Sequence, residues 1–285
     1  MERTTTRDRV TVRLAKDKDR RRLASLLHFS PWVHRHLDWR APLDWIGYQP
    51  YLVAERAGQI LAALACPPDP PEVAWIRLFA ISSEITIAEA WSILWQAAHE
   101  YLWGITVAAI PFQNWFSQQL LSAQFDHAHE VAMFAWENQP LPPESKTPDC
   151  IIRLMNHDDL ILIKELDSLA FGPIWQQSLE MLEMAFKQST IATVAETQEG
   201  IIGYQISTAG SGGGHLARLA VHPQVQGKGV GYALTRDMLV HFHRRGSLRV
   251  TVNTQIDNEA SLALYKKAGF RLTGEVFPVY KIHLD

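Results

Sequence analysis

The run Gln226-Gly227-Lys228-Gly229-Val230-Gly231-Tyr232 sets three glycines at alternate positions where an apolar-periodic segment begins. Such a run lets backbone N–H groups converge on an anion at a helix N-terminus, where the positive end of the helix dipole lies. Phosphate is the expected ligand. Downstream, Asn258 and Tyr265 stand seven positions apart, about two helical turns or ~10 Å, so a carboxamide and a phenol share nearly one helix face. A phenol with a reference pKa near ~10 keeps its proton at neutral pH and can give it to a departing group. A ligand-free glycine turn and an aromatic packed on a sheet are the structural alternatives.

These residues need particular elements beneath them. The segment His215-Leu216-Ala217-Arg218-Leu219-Ala220-Val221 alternates as a strand, with His215, Ala217, Leu219 and Val221 expected on one face, and Pro223 ends it. After the glycines, Leu234, Met238, Leu239 and Phe242 recur at helical spacing up to a plausible stop at Gly246. A further strand carries Asn253, and a second helix opens at Asp257 or Asn258 and closes at Gly269. Walker A chemistry is disfavoured, because Lys228 is followed by Gly229 and not by a metal-ligating hydroxyl. A dinucleotide fingerprint fits little better, since the glycines alternate strictly and the next strand offers Asn253 in place of an acid.

Both motifs, in this order and spacing, resemble the GNAT superfamily of acetyl-CoA-dependent N-acetyltransferases. The first is similar to the family's Gln/Arg-x-x-Gly-x-Gly/Ala pyrophosphate loop; the second, Asn258 to Tyr265 to Gly269-Phe270, resembles its downstream helix. The resemblance implies an α/β fold with a mixed sheet and acetyl-CoA as co-substrate. It implies a donor site of Leu219, Ala220, Val221, Gln226, Gly227, Lys228, Gly229, Val230, Gly231, Tyr232, Asn253 and Asn258, with Tyr265 as general acid. Some members carry a glutamate base twelve residues before the tyrosine; here that position is Asn253, which cannot serve. His215 is the candidate base, with a turn histidine as its alternative, and Glu196 and Asp167 are weaker options. Phe171 and Trp175 are expected to wall the acceptor pocket, or else to be core aromatics.

The chain also repeats itself. "VRLAKDKD" from Val12 answers "IRLMNHDD" from Ile152, "VAERAGQILAALA" from Val53 answers "VAETQEGIIGYQI" from Val194, and "IRLFAI" from Ile76 answers "ARLAVH" from Ala217, at offsets of 140 or 141. From "LLSAQF" at Leu120 and "YKKAGF" at Tyr265 the offset is 145, so the first copy has lost about four residues where the second has its glycine loop. The expected organisation is two tandem copies of one α/β unit, each closed by a hairpin: a degenerate domain over 10–137, a Pro-rich linker over 138–149, and a catalytic domain over 150–285. Leu120 stands where Tyr265 stands, so the first copy is expected to be catalytically dead.

Composition narrows the partners. A net charge of −3 with 20% charged residues gives no polyelectrolyte signature, so nucleic acid is a poor partner. The polar N-terminus and interrupted apolar runs suggest neither signal peptide nor membrane span, which points to a cytoplasmic protein. Histidine pairs such as His127/His129 lack a matching carboxylate or cysteine set, so no metal site is expected, and the two cysteines form no disulfide framework. The leading expectation is acetyl transfer to a small-molecule or peptide amine. An acyl-CoA-binding sensor and a partner-binding scaffold are the alternatives, and a homodimer is left open.

Overall fold

The computed structural model describes residues 9–137, 139–144 and 150–285; residues 138 and 145–149 of the expected linker lie outside these. Two compact units emerge, one of Met1–Ala128 with Pro278–Asp285 and one of His129–Phe277.

The first unit opens with β1 (Thr11–Leu14), α1 (Arg20–Phe29), β2 (Trp32–Arg35), β3 (Tyr51–Arg56) and β4 (Gln59–Ala65). It continues through β5 (Val73–Trp75), β6 (Leu78–Ile81), α2 (Ile87–Leu102), β7 (Thr106–Ala109) and α3 (Asn114–Ser122). Thr86 caps α2 by accepting from the Glu89 N–H at 3.2 Å. The helix then buries Trp91, Leu94, Trp95, Ala98 and Leu102, an i, i+3, i+4 stripe that packs with Phe79, Phe116 and Phe125 into one core. Strands run β1-β3-β4-β6-β2, while β5 pairs in parallel with β7.

The strand β8 (Asp126–Glu137) then crosses into the second unit. There follow β9 (Ile151–Leu154), α4 (Leu160–Ala170), α5 (Leu179–Gln188), β10 (Ile191–Thr197), β11 (Gly200–Gly210) and β12 (Gly213–Val221). The remaining elements are α6 (Val230–Arg244), β13 (Arg249–Gln255), α7 (Glu259–Lys267) and β14 (Arg271–His283). In this unit the order is β14-β8-β13-β12-β11-β10-β9, and α6 buries Leu234, Met238, Leu239 and Phe242 against it.

In place of a closing hairpin, each repeat ends in one long strand that finishes in the unit built by the other repeat. Val131–Glu137 of β8 pairs with β13 in the second unit, and Tyr280–His283 of β14 pairs with β7 in the first. The physical effect is that each unit contains a strand end from the other copy.

Duplication is also visible in side chains. Arg13 binds Asp19 at 2.6 Å and Glu55 at 2.7 Å, and 140 residues on Arg153 binds Asp159 and Glu196, both at 2.7 Å. Each aspartate also accepts a backbone N–H, from Lys16 at 2.9 Å and from Asn156 at 2.7 Å. The arginine holds both aspartates below the usual carboxylate range. With folded pKa depressed, this stabilisation is complete above the unfolded value of ~3.9 and is lost as pH falls through the lowered one. Asp159→Asn is expected to cost about 2 kcal/mol at neutral pH, the scale of a charge-assisted hydrogen bond, read as a lower urea midpoint with unchanged slope.

Candidate active site

In the second unit β12 pairs with β13 only over Gly214–Leu216 and Val250–Val252, although β12 remains paired with β11 as far as Val221. A register shift opposite Ile206 and Ser207 leaves Ala217 as an extra residue on β12, a bulge that bends the strand away from β13. The bulge also corrects the expected alternation. Gly214 and Leu216 face α6, through Phe242 and its cluster, and so do Leu219 and Val221, so His215 lies on the opposite face from Leu219.

Beyond the bulge, β12 has an open edge. His222 N–H bonds to Ile202 O at 2.9 Å; by alternation Ala220 also spends its backbone groups on β11, while those of Leu219 and Val221 face the open edge. Side-chain identity matters little there, because the polar groups on offer are main-chain ones.

That edge leads into the glycine loop. Gln226 Nε2 donates to Val221 O at 3.0 Å and braces the turn, and Gly229, with φ +91°, is the N-cap of α6. The first N–H groups of α6 have no intrahelical acceptor and point into the turn with the positive dipole end. At Gly231 an added Cβ would lie 3.3 Å from Leu264 Cδ2 and 3.5 Å from Val221 Cγ2, so α6 packs closely on α7 and β12 at this point. Lys228 is exposed beside the loop. Two loop residues contribute backbone alone: Val230 is buried among Ala195 and Leu234, and Tyr232 donates its hydroxyl to Pro143 O at 2.8 Å under Lys267. These features converge main-chain N–H groups on one turn at the N-terminus of α6, an arrangement suited to an anion.

On the second helix, Asn258 accepts the Ser261 N–H at 3.0 Å as N-cap, which leaves its amide nitrogen as the group available to a ligand. Tyr265 is 4% exposed, held among Phe134 and Phe270 with ring centroids 6.5 and 5.7 Å away, and burial pushes its phenol pKa up. It stays protonated at neutral pH. Asn253 is exposed on β13, one residue past the last β12 pair.

His215 sits one residue before that last pair, with Nδ1 2.8 Å from Thr251 Oγ1 and burial pulling its pKa down. The other two base options are excluded by their partners. Glu196 is bound by Arg153, and Asp167 is fully buried against Arg218 and Tyr204. Phe171 and Trp175 lie on the loop between α4 and α5, both half-buried; Phe171 stacks on the Arg218 guanidinium, and the Trp175 ring stands 6.1 Å from that of His129. Sequence reasoning passed over Arg218, whose signal was its presence in both repeats as the arginine of "IRLFAI" and "ARLAVH".

The first unit shows the same strand pair in another state. There β5 pairs with β7 as β12 pairs with β13, but the edge of β6 beyond the break is taken by β2, with Trp32 opposite Ile81 and Arg35 opposite Leu78. Leu120 is fully buried at the Tyr265 position, and Gln124, at φ +63°, occupies the left-handed turn that Gly269 makes in the second copy. The strand edge that is open in one copy is sealed in the other.

A family model described as an acetyltransferase (GNAT) domain matches residues 170–283. Over 57 residues the chain is 33% identical to N-alpha-acetyltransferase 30 of Schizosaccharomyces pombe, covering 20% of this chain and 38% of that protein. It is 25% identical over 122 residues to an uncharacterized N-acetyltransferase of Methanocaldococcus jannaschii, covering 42% of this chain and 78% of that protein. Among solved structures, a GCN5-related N-acetyltransferase from Sphaerobacter thermophilus superposes with a TM-score of 0.62 at 16% identity, covering 98% of this chain and 97% of that one. A tandem GNAT protein from the clavulanic acid biosynthesis pathway gives 0.62 at 13% identity, covering 96% and 98%. These structures share the fold over both units, and the match to a GNAT acetyltransferase domain lies almost wholly in the second, which is similar to such a domain.

Proposed function

We propose that the second unit transfers an acetyl group from acetyl-CoA to a primary amine by direct attack while both substrates are bound. The observation that carries this reading is the open edge of Leu219 and Val221 running into the Gly229 N-cap. Backbone groups of that edge would hold the pantetheine arm and polarise the thioester carbonyl at no reorganisation cost. The N–H groups from Gly229 onward would hold the pyrophosphate. His215, oriented by Thr251 and kept neutral by burial, takes a proton from the incoming ammonium through Nε2 or a water, and the amine then attacks the carbonyl carbon. Tyr265 gives its proton to the sulfur as the C–S bond breaks and regains one from the attacking nitrogen, directly or through a water, which leaves an amide and free CoA, while His215 releases the first proton to solvent. The first unit, its strand edge filled by β2, would act as scaffold.

The relative named an N-alpha-acetyltransferase makes a peptide amino terminus the first acceptor to try, beside small amines and aminoglycosides. A steady-state assay of CoA release over such a panel is expected to show saturable, acceptor-dependent release. Acetyl-CoA binding without release from any acceptor would favour a sensor. In the same assay kcat/KM is expected to fall on the acid side only below the ordinary imidazole range near ~6.5, as the base becomes protonated through its lowered pKa. His215→Gln is expected to lower kcat/KM about tenfold or more and to flatten that limb; an unchanged limb would assign the base elsewhere.

A further inference from the structure

One buried charge network takes no part in the chemistry above. Asp167 of α4 is fully buried, and its carboxylate collects the Tyr204 hydroxyl at 2.5 Å, Arg218 Nε at 2.5 Å and the backbone N–H of Gln177 at 3.0 Å. Arg218 in turn donates from Nη2 to Trp175 O at 2.7 Å, and its guanidinium carbon lies 3.9 Å from the centroid of the Phe171 ring. The loop from Phe171 to Gln177 is therefore fastened by a ring, a carbonyl and an N–H to a single arginine–aspartate pair. Arg218 is also the residue between the bulge at Ala217 and the open edge at Leu219. Burying two charges for packing alone is a poor exchange against apolar side chains; what a planar guanidinium adds is a fixed direction for each bond.

The first unit provides an internal comparison. Arg77, 141 residues before Arg218, is likewise buried, pairs with Asp38 at 3.0 Å and lies 4.7 Å from the Trp45 ring. There the carboxylate and the ring both come from the segment after α1, whereas in the second unit the ring follows the first helix and the carboxylate of Asp167 lies within it. In the first unit, however, the start of the segment is β2, which has joined the edge of β6. The same segment can thus enter the sheet or be held as a loop beside it.

We propose that Arg218 and Asp167 are positioning residues, which hold the Phe171–Gln177 loop beside the donor edge as the wall against which the acceptor amine is oriented. This rests on the transferase reading above. Arg218→Lys keeps the charge but loses the planar fork, and Asp167→Asn keeps the shape but loses the charge. Each is expected to raise the acceptor KM at least tenfold while kcat at saturation changes less than threefold. Hydrogen exchange of amides in 171–178 is expected to quicken at least tenfold, with α6 and α7 unchanged. A fall in kcat at constant KM, with faster exchange throughout the unit, would show a merely structural role and overturn the proposal. If the chain transfers no acetyl group to any acceptor, the exchange measurement still decides: quickening confined to the loop supports the clamp although the transferase reading has failed, and unchanged exchange overturns it.

Discussion

Tyr265→Phe is expected to lower kcat at least tenfold while leaving acetyl-CoA affinity within about twofold, the range over which a positioned acid contributes. The substitution keeps the ring and hence its packing against Phe134 and Phe270, so what it removes is the hydroxyl alone. Burial has already raised the phenol pKa, so the basic limb of the pH profile should not report its ionisation below ~10. Stopped-flow release of CoA thiol, read beside equilibrium binding, separates the two effects. Unchanged turnover would remove Tyr265 from the mechanism and leave it a core aromatic.

Gly229→Val is expected to weaken acetyl-CoA binding at least a hundredfold, about 2.7 kcal/mol. At φ +91° an L side chain is strained by ~1–2 kcal/mol or more, and a β-branched one most of all. The loop would relieve that strain by rotating, which swings the N–H groups of the α6 N-terminus off their common target. Gly212→Ala is the control: its backbone is outside the left-handed range and an added Cβ meets nothing within 4 Å, so affinity should not move. Binding by Gly229→Val at the unaltered affinity would show that the cradle is not at this helix end.

How much of this was legible beforehand follows from which forces are local. The glycine loop, the caps at Asn258 and Gly269 and the helical stripe of α6 depend on neighbours within a turn or two, and they stand where the residue pattern places them. The duplication was legible for a related reason: Arg13 and Arg153 keep the same acidic partners because each network closes one copy of the fold on itself. What escaped was non-local. The bulge at Ala217 turns His215 to the opposite face from Leu219, and a period-two pattern carries no mark of one extra residue. Nor does any local signal tell that β8 and β14 each finish in the other copy's unit, because a strand's partners are set by residues far away in the sequence. Glu196 is a weak base candidate by sequence alone, since the Arg153 that binds it lies 43 residues away. Likewise β2 is unremarkable as four residues of sequence, and acquires meaning only from the strand edge that it fills.

On the proposed reading one unit of two retains the donor site, the other having closed its edge with its own strand. Isothermal titration of the full chain with acetyl-CoA tests it most directly. The account predicts one site per chain, lost in Gly229→Val and kept in Gly212→Ala. Two sites per chain, or one that survives Gly229→Val at full affinity, would contradict it.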